Sequence, residues 1–366
     1  MNLGQPAIVA LSDGTFFEGH TVSVGGDQLG ELVFNTSMTG YQEILTDPSY
    51  AGQIVTMTYP HIGNYGVNPE DDESDRPQVR GFIMRTCSRK PSNQRATQGL
   101  VEYLVEHNVF AVDEIDTRAL TRRVRVHGVL NAAMSTECLD PDELVRRAQE
   151  WKGLEGVDLV REVSTGAAYE RAPEQPRFHV VAYDFGIKRN IIRKLVEVGC
   201  RVTVVPASTS ADEALALEPD GILLSNGPGD PRAVDYAIET TKKLVASEKP
   251  IFGICLGHEI LGLALGAEIF HLKFGHRGAN HPIKEKASGR VLITSENHGW
   301  GITAESLPDQ LEITRINLND GCVEGMQHRD LPIFSIQCHP EASPGPHDSF
   351  HLFEYFTELM DKHSAA

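Results

Sequence analysis

The chain is poor in positive charge. Across 366 residues, 33 Lys and Arg stand against 51 Asp and Glu, a formal net charge of -18 at pH 7. An acidic surface repels nucleic-acid phosphates and anionic lipid headgroups, so we expect neither nucleic-acid binding nor attachment to a negatively charged membrane. The six cysteines include no Cys-x-x-Cys pair, which argues against a zinc knuckle or a disulfide scaffold and favours a reducing, cytoplasmic setting.

A long uninterrupted apolar run is also missing. The longest apolar stretch, residues 251–267, carries His258 and Glu259 in its middle, and the apolar residues 7–11 are followed at once by Ser-Asp-Gly. A membrane-spanning helix needs about 20 apolar residues, and a secretory signal begins with a basic region. We therefore expect no membrane span and no signal peptide.

Nucleotide and metal motifs are equally scarce. The chain has no Gly-Lys-Ser/Thr, and Arg232 stands where a dinucleotide fingerprint would place its last glycine. His258-Glu259 lacks the second histidine of a zinc-protease helix. Three histidines with five-residue spacing, among glycines and a proline, favour a loop network over a metal site: His271, His276 and His281. We expect no metal and no cofactor on this chain.

Periodicity divides the chain into two predicted domains. Residues 1–150 are rich in short strands and predict a smaller mixed α/β domain. Residues 151–177, which contain Ser, Thr, Gly, Pro and several charges, predict a linker. In residues 178–366 strands and helices alternate with short connections, which predicts a doubly wound, mostly parallel sheet. The expected fold class is therefore α/β.

The most informative stretch is the corner between a predicted strand, residues 250–254, and a predicted helix. Cys255 lies at this corner between Gly253 and Gly257, and Gly-x-Cys-x-Gly is a nucleophile-elbow pattern with sulfur in place of oxygen. The glycines leave room at a strained turn, and a helix N-terminus favours the thiolate. We interpret Cys255 as a nucleophile, with a small buried structural cysteine as the alternative.

A cysteine nucleophile needs a base and a group that orients the base. His339 and Glu341 lie two residues apart at the end of a predicted strand, so both side chains can project from one face. Cys338 should face the other way, and we interpret it as structural. The alternative for His339 is an ordinary surface or capping histidine.

The third requirement is a pair of donors for an oxyanion. The backbone N–H of Leu256 is one candidate, and a backbone N–H in the loop Gly227-Pro-Gly229 is the second. This loop and Cys255 each follow a predicted parallel strand, so both should lie at the same edge of the sheet, where ligands bind in such folds.

Together these motifs resemble a known family. Gly253-Ile-Cys-Leu-Gly-His258 with His339-Pro-Glu341 is similar to the class I (triad) glutamine amidotransferases, and residues 225–231 are similar to their oxyanion loop. Residues 34–50, whose composition alone predicts a solvated loop, resemble the small, glutaminase subunit of carbamoyl-phosphate synthetase. So do four other segments: residues 59–64, 273–282, 296–299 and 340–348. The resemblance extends over nearly the whole chain.

The resemblance implies a glutaminase. Cys255 would attack the side-chain amide of L-glutamine, His339 would protonate the leaving ammonia, and Glu341 would orient the histidine. The implied glutamine-binding residues are Ser49, Gly227, Gly229, Leu256, Glu259, Asn297, Gly299 and Trp300. A large partner subunit is also implied, with ATP and Mg bound there, so that ammonia and bicarbonate yield carbamoyl phosphate for arginine or pyrimidine biosynthesis.

One residue departs from the family pattern, because Glu259 stands where the family usually carries Gln. An ionised carboxylate only accepts hydrogen bonds and adds a negative charge, so we expect weakened glutamine use. Trp300 is a milder variation at an aromatic position. The alternatives are a glutaminase of guanylate or anthranilate synthesis, a catalytically silent regulatory subunit, and a free-standing γ-glutamyl hydrolase.

Overall fold

The computed structural model describes residues 4–364, which divide into two compact units between Glu155 and Gly156. The first unit contains β1 (Pro6–Leu11), β2 (Phe16–Thr21), β3 (Asp27–Asn35), α1 (Tyr41–Thr46), β4 (Gln53–Met57), β5 (His61–Ile62), β6 (Gly81–Ile83), β7 (Thr86–Cys87), α2 (Leu100–Glu106), β8 (Ala111–Asp113), α3 (Thr117–His127), β9 (Leu130–Ser135) and α4 (Pro141–Glu150).

The second unit contains α5 (Val160–Val163), β10 (Tyr169–Arg171), β11 (Phe178–Asp184), α6 (Arg189–Glu197), β12 (Cys200–Pro206), α7 (Ala211–Leu215), β13 (Gly221–Leu224), α8 (Asp235–Val245), β14 (Ile251–Ile254), α9 (Leu256–Leu265), β15 (Ile269–Glu285), β16 (Val291–Ile302), β17 (Leu311–Asn317), β18 (Val323–His328), β19 (Ile333–Ile336) and α10 (His351–Ser364). Among residues 4–364, no helix combines the length and the hydropathy that a membrane crossing requires.

Seven strands of the first unit close into a barrel in the order β1-β2-β8-β6-β4-β3-β9. The solvated loop expected at residues 34–50 is not found there. Instead, α1 and the 3-10 helix Pro48–Tyr50 are buried. Tyr41, Ile44 and Leu45 recur at helical spacing and pack into the apolar core of this unit.

The second unit is built on a ten-stranded sheet in the order β10-β12-β11-β13-β14-β19-β18-β17-β15-β16. Its centre is the predicted doubly wound sheet, in which β12, β11, β13, β14 and β19 lie side by side and run parallel to one another. Antiparallel strands extend it on both sides. Apolar cores lie on both faces, one against α8 and α9 and the other against α6 and α10.

The structure corrects the predicted linker at residues 151–177. Most of this segment belongs to the second unit: α5 buries Val160, and β10 pairs antiparallel with β12 at the sheet edge. The side chains of β10 are polar and mostly exposed, so the segment lacks the apolar alternation by which a strand is recognised in sequence.

Candidate active site

Cys255 lies between β14 and α9 at the carboxyl edge of the parallel sheet, and it is 2% exposed. Its backbone has φ 53° and ψ -107°, a conformation that costs energy for a residue with a side chain. Two backbone hydrogen bonds hold the corner: Cys255 N–H donates to Ile336 O at 2.9 Å, and Gly257 N–H donates to Ser225 O at 3.0 Å. The turn is therefore fixed by both neighbouring strands.

The flanking glycines are required by packing. A Cβ on Gly257 would overlap the carbonyl oxygen of Leu224 in β13. A Cβ on Gly253 would lie 2.7 Å from the carbonyl oxygen of Gly257. The Gly-x-Cys-x-Gly spacing thus follows from how closely α9 approaches the sheet.

His339 follows β19, the parallel neighbour of β14, so it emerges beside the elbow at the same sheet edge. Its Nδ1 lies 2.7 Å from Oε1 of Glu341, and its backbone N–H donates to Ser295 O at 2.9 Å. With Glu341 ionised, Nδ1 is the donor, which leaves a lone pair on Nε2. The Nε2 atom is buried and makes no hydrogen bond with residues 4–364, so it is available to a thiol or to a substrate.

Glu341 is held by two partners that the sequence patterns did not reveal. Lys188 Nζ donates to Glu341 Oε1 at 2.9 Å and to Ala342 O at 2.6 Å, while Asn190 Nδ2 donates to the Glu341 backbone carbonyl at 2.5 Å. Burial raises the pKa of Glu341, but the Lys188 ammonium and His339 outweigh burial and bring this pKa to about 2. The carboxylate beside His339 is therefore ionised at neutral pH.

The Cys255 thiol contacts a residue of β16 and the residue that directly follows β19. Its Sγ donates to Asn297 O in β16 at 3.6 Å, and Gln337 Nε2 lies 3.9 Å from the same sulfur. Gln337 Nε2 also donates to Oε1 of Glu259 at 3.0 Å. One side-chain amide thus joins the candidate nucleophile to the residue that departs from the family pattern.

Glu259 is 3% exposed, one helical turn after Cys255. Burial raises the pKa of Glu259 well above its ordinary value. The hydrogen bond from Gln337 lowers this pKa, and the nearby charge of Asp230 raises it further. A neutral carboxylic acid can both donate and accept hydrogen bonds. Burial thus opposes the ionised carboxylate that was expected at this position.

The loop after β13 and strand β16 meet beside the elbow. Arg232 forms an ion pair with Asp230 at 2.8 Å, and its guanidinium lies over the Trp300 ring, 4.3 Å from the centroid. Gly227 packs so tightly that a Cβ there would overlap Phe185 O and lie 2.7 Å from Leu256 Cδ2. The predicted residues Gly227, Leu256 and Trp300 thus belong to one contiguous region of the second unit.

The remaining predicted residues differ in how directly the structure relates them to Cys255. Asn297 contacts its sulfur. Gly299 lies two residues further along β16, and Gly229 has φ +90°, a conformation that suits glycine. Ser49 belongs to the first unit, where it is buried and its N–H donates to Asp47 Oδ1 at 2.9 Å. A role for Ser49 with glutamine stays a prediction.

Comparison with known proteins gives two family matches. Residues 181–359 match glutamine amidotransferase class-I, and residues 9–134 match the carbamoyl-phosphate synthase small chain, CPSase domain. Proteins described as carbamoyl phosphate synthase small chain are similar over nearly full length. The one from Synechocystis sp. is 53% identical, covering 99% of this chain and 97% of its own. The one from Nostoc sp. is 54% identical, covering 97% and 95%.

The chain belongs to the carbamoyl-phosphate synthase small chain family. The small-chain match falls on the first unit, whereas the amidotransferase match falls on the second. A glutaminase of guanylate or anthranilate synthesis is therefore not favoured, because the N-terminal region carries the small-chain domain. The resemblance stated from the N-terminal and elbow motifs is confirmed at the level of the family.

In this member of the small-chain family the histidines predicted as a loop network divide into two places. His271 packs edge-to-face on Trp300. His276 belongs to a different cluster, in which one nitrogen or oxygen atom from each of His276, His298 and Glu324 lies within 4.8 Å of the other two. Burial lowers the pKa of His276, but its ion pair with Glu324, with Nδ1 3.7 Å from Oε1, and the charge of Asp320 outweigh burial and raise this pKa to about 9. Asp320 accepts from the opposite ring nitrogen at 2.8 Å. In this protonation state His276 lies between carboxylates, and the absence of a metal ion on this chain stays a prediction.

Proposed function

We propose that this chain is the glutaminase subunit of a carbamoyl-phosphate synthase. It hydrolyses L-glutamine to glutamate and ammonia, and the ammonia passes to a large subunit for ATP- and bicarbonate-dependent synthesis of carbamoyl phosphate. The observation that carries the proposal is the hydrogen-bonded chain Lys188–Glu341–His339, which emerges beside the strained elbow of Cys255. Membership of the small-chain family supports the same role.

In the first half-reaction, the Cys255 sulfur attacks the carbonyl carbon of the glutamine side-chain amide, while His339 Nε2 accepts the thiol proton. The resulting oxyanion receives hydrogen bonds from backbone N–H groups at Leu256 and in the loop at residues 227–229. The N–H of Leu256 opens a helix, where backbone donors have no partner within the helix. When the C–N bond breaks, the His339 imidazolium returns its proton to the nitrogen, which leaves as ammonia.

In the second half-reaction, water attacks the γ-glutamyl thioester and His339 takes a proton from that water. The C–S bond breaks, glutamate is released, and the sulfur leaves as the thiolate, which His339 reprotonates. Glu341 stays ionised throughout and stabilises the imidazolium that forms twice in each cycle. Lys188 and His339 keep the pKa of Glu341 low although burial raises it, and a low pKa suits this task.

The proposal extends to partners and pathway. The chain would work as a heterodimer with the large subunit, which would hold ATP and Mg, and it would serve arginine or pyrimidine biosynthesis in the cytoplasm. Ser49, Gly227, Gly229, Leu256, Glu259, Asn297, Gly299 and Trp300 would surround the glutamine. A catalytically silent regulatory subunit is less favoured. That alternative rested on a charged Glu259 that would weaken glutamine use, and burial opposes this charge.

The test is replacement of the nucleophile in the assembled enzyme. We expect Cys255→Ser, purified together with the large subunit, to lose glutamine-dependent carbamoyl phosphate synthesis by on the order of 10³-fold or more. Ammonia-dependent synthesis should be retained, because that reaction needs no amide cleavage. Cys138→Ser, at a partly exposed cysteine of the first unit, is the matched control and should behave like the parent. Glutamine use that survives in Cys255→Ser would contradict the proposal.

A further inference from the structure

We infer that Glu259 works in the glutamine site as an uncharged carboxylic acid, with Gln337 as the residue that positions it, a role that rests on the proposed function. In this form Glu259 supplies a hydrogen-bond donor to the substrate and keeps negative charge away from the sulfur of Cys255. Loss of its proton in alkaline solution then weakens glutamine binding.

The first support is the position of the side chain. The backbone N–H of Glu259 donates to Cys255 O at 3.1 Å in the first turn of α9. Within residues 4–364 its carboxyl group makes one side-chain hydrogen bond, from Gln337 Nε2 to Oε1 at 3.0 Å. Since Gln337 Nε2 also lies 3.9 Å from the Cys255 sulfur, the carboxyl group and the nucleophile share one neutral donor.

The second support is the charge around the carboxyl group. Asp230, in the loop after β13, acts on Glu259 with a negative charge, although Arg232 neutralises that charge in part by its own ion pair. From the side of β18, the nearby titratable group is the Cys322 thiol, whose pKa is raised by burial. On α9 itself the adjacent titratable group is His258, whose pKa burial lowers to about 3, so it brings no positive charge at neutral pH. Cys255 lies just before the helix. A buried carboxylate without an adjacent cation is strongly disfavoured, so the geometry selects the acid.

The chemical consequence concerns both substrate and nucleophile. Oε1 already accepts from Gln337, so the acid proton on the second oxygen is free to be donated to a carbonyl or carboxylate oxygen of glutamine. An ionised Glu259 would lose this donor and repel the substrate carboxylate. It would also oppose thiolate formation at Cys255, since a nearby negative charge raises a thiol pKa.

The kinetic test compares the parent enzyme with Glu259→Gln across pH. At neutral pH we expect the KM for glutamine to agree within about twofold, because both side chains then donate and accept. As pH rises, the KM of the parent should increase by up to about tenfold per pH unit, as expected for loss of one proton, while that of Glu259→Gln stays nearly level. Glu305→Gln, at an exposed glutamate of the same unit, should follow the parent. Parallel pH profiles for the parent and Glu259→Gln would overturn the inference.

A spectroscopic test does not depend on glutamine turnover. Infrared difference spectra of the parent and Glu259→Gln at neutral pH should show a protonated-carboxyl C=O band in the parent that is missing in the variant and disappears on alkaline titration. Absence of that band would overturn the inference even if Cys255 proves to be the nucleophile. If the band is present but Cys255→Ser still uses glutamine, the proposed function fails while the protonation state of Glu259 stands.

The positioning role of Gln337 has its own readout. Gln337→Leu keeps the side-chain bulk but removes the amide, so we expect the KM for glutamine to rise by about tenfold with a smaller change in kcat, since the interaction lost is with bound substrate. Gln337→Asn should restore part of the affinity, because it keeps an amide donor. A fall in kcat alone, or no rescue by Asn, would contradict this role.

Discussion

Two buried carboxyl groups belong to the candidate active site, and their pKa values are shifted in opposite directions. Glu341 is fully buried and Glu259 is 3% exposed, so desolvation acts on both. Glu341 receives a hydrogen bond from the Lys188 ammonium, whereas Glu259 receives one from the neutral amide of Gln337. The pKa is consequently lowered for Glu341 and raised for Glu259, despite burial of both. The neighbouring donor, rather than burial, decides which group is an anion and which is an acid.

The largest effect should come from removing the Lys188 ammonium, the cation that lowers the pKa of Glu341. Lys188→Met leaves Glu341 buried without its ammonium, so we expect the free energy of unfolding to fall by about 3–5 kcal/mol. Glutaminase activity should fall as well, because a protonated Glu341 no longer stabilises the His339 imidazolium. Urea unfolding and glutaminase assays measure both effects.

The matched control for this change is Lys242→Met. Lys242 pairs with Glu239 on the exposed face of α8, where an ion pair contributes at most about 1 kcal/mol. Equal destabilisation by the two replacements would show that the Lys188–Glu341 pair is no different from a surface pair.

A medium effect should appear in acid. The pKa of Glu341 is about 2 in the folded protein, against an ordinary value of 4.5. Ionised Glu341 therefore stabilises the fold above pH 4.5, and this contribution is lost as pH falls from 4.5 through 2. The stability gap between the parent and Glu341→Gln should narrow over that window by on the order of 3 kcal/mol. A constant gap in acid urea titrations would rule out the low pKa.

Glu259 should show the opposite and smallest effect. Because its folded-state pKa is raised, the folded chain binds more protons than the unfolded chain above pH 4.5, and stability falls as pH rises. Glu259→Gln removes this titration, so its stability advantage over the parent should grow from pH 5 towards alkaline pH. Thermal unfolding across pH measures the difference. A stability difference that stays constant above pH 5 would mean that Glu259 is already ionised in the folded chain at those pH values.

The elbow and the base were predictable from sequence because local patterns carry them. Gly253 and Gly257 frame Cys255 for a steric reason that holds at this corner, and His339 and Glu341 are neighbours on one strand end. Lys188 and Gln337 were not found. Lys188 follows β11, and its contact with Glu341 depends on how distant strands align in the sheet. Such long-range pairing leaves no local periodicity.

The missed elements have related causes. β15 runs from Ile269 to Glu285 through several histidines, two glycines and a proline, and its pairing with β16 contains register shifts. Neither feature fits a regular strand pattern. In contrast, α1 was not predicted because Gly40 stands at its N-cap and Pro48 follows soon after its end. Glycine and proline this close together in sequence are typical of a loop.

The pairing of β14 with β19 has a consequence for when the thiol becomes reactive. Cys255 and Gln337 lie 82 residues apart in sequence, so the ribosome synthesises Cys255 well before the segment that carries the imidazole of His339. Pairing between parallel strands that are distant in sequence is intrinsically slow. A nascent or truncated chain lacking β19 would therefore carry an unactivated sulfur, and amide cleavage would begin only once the C-terminal strand had docked.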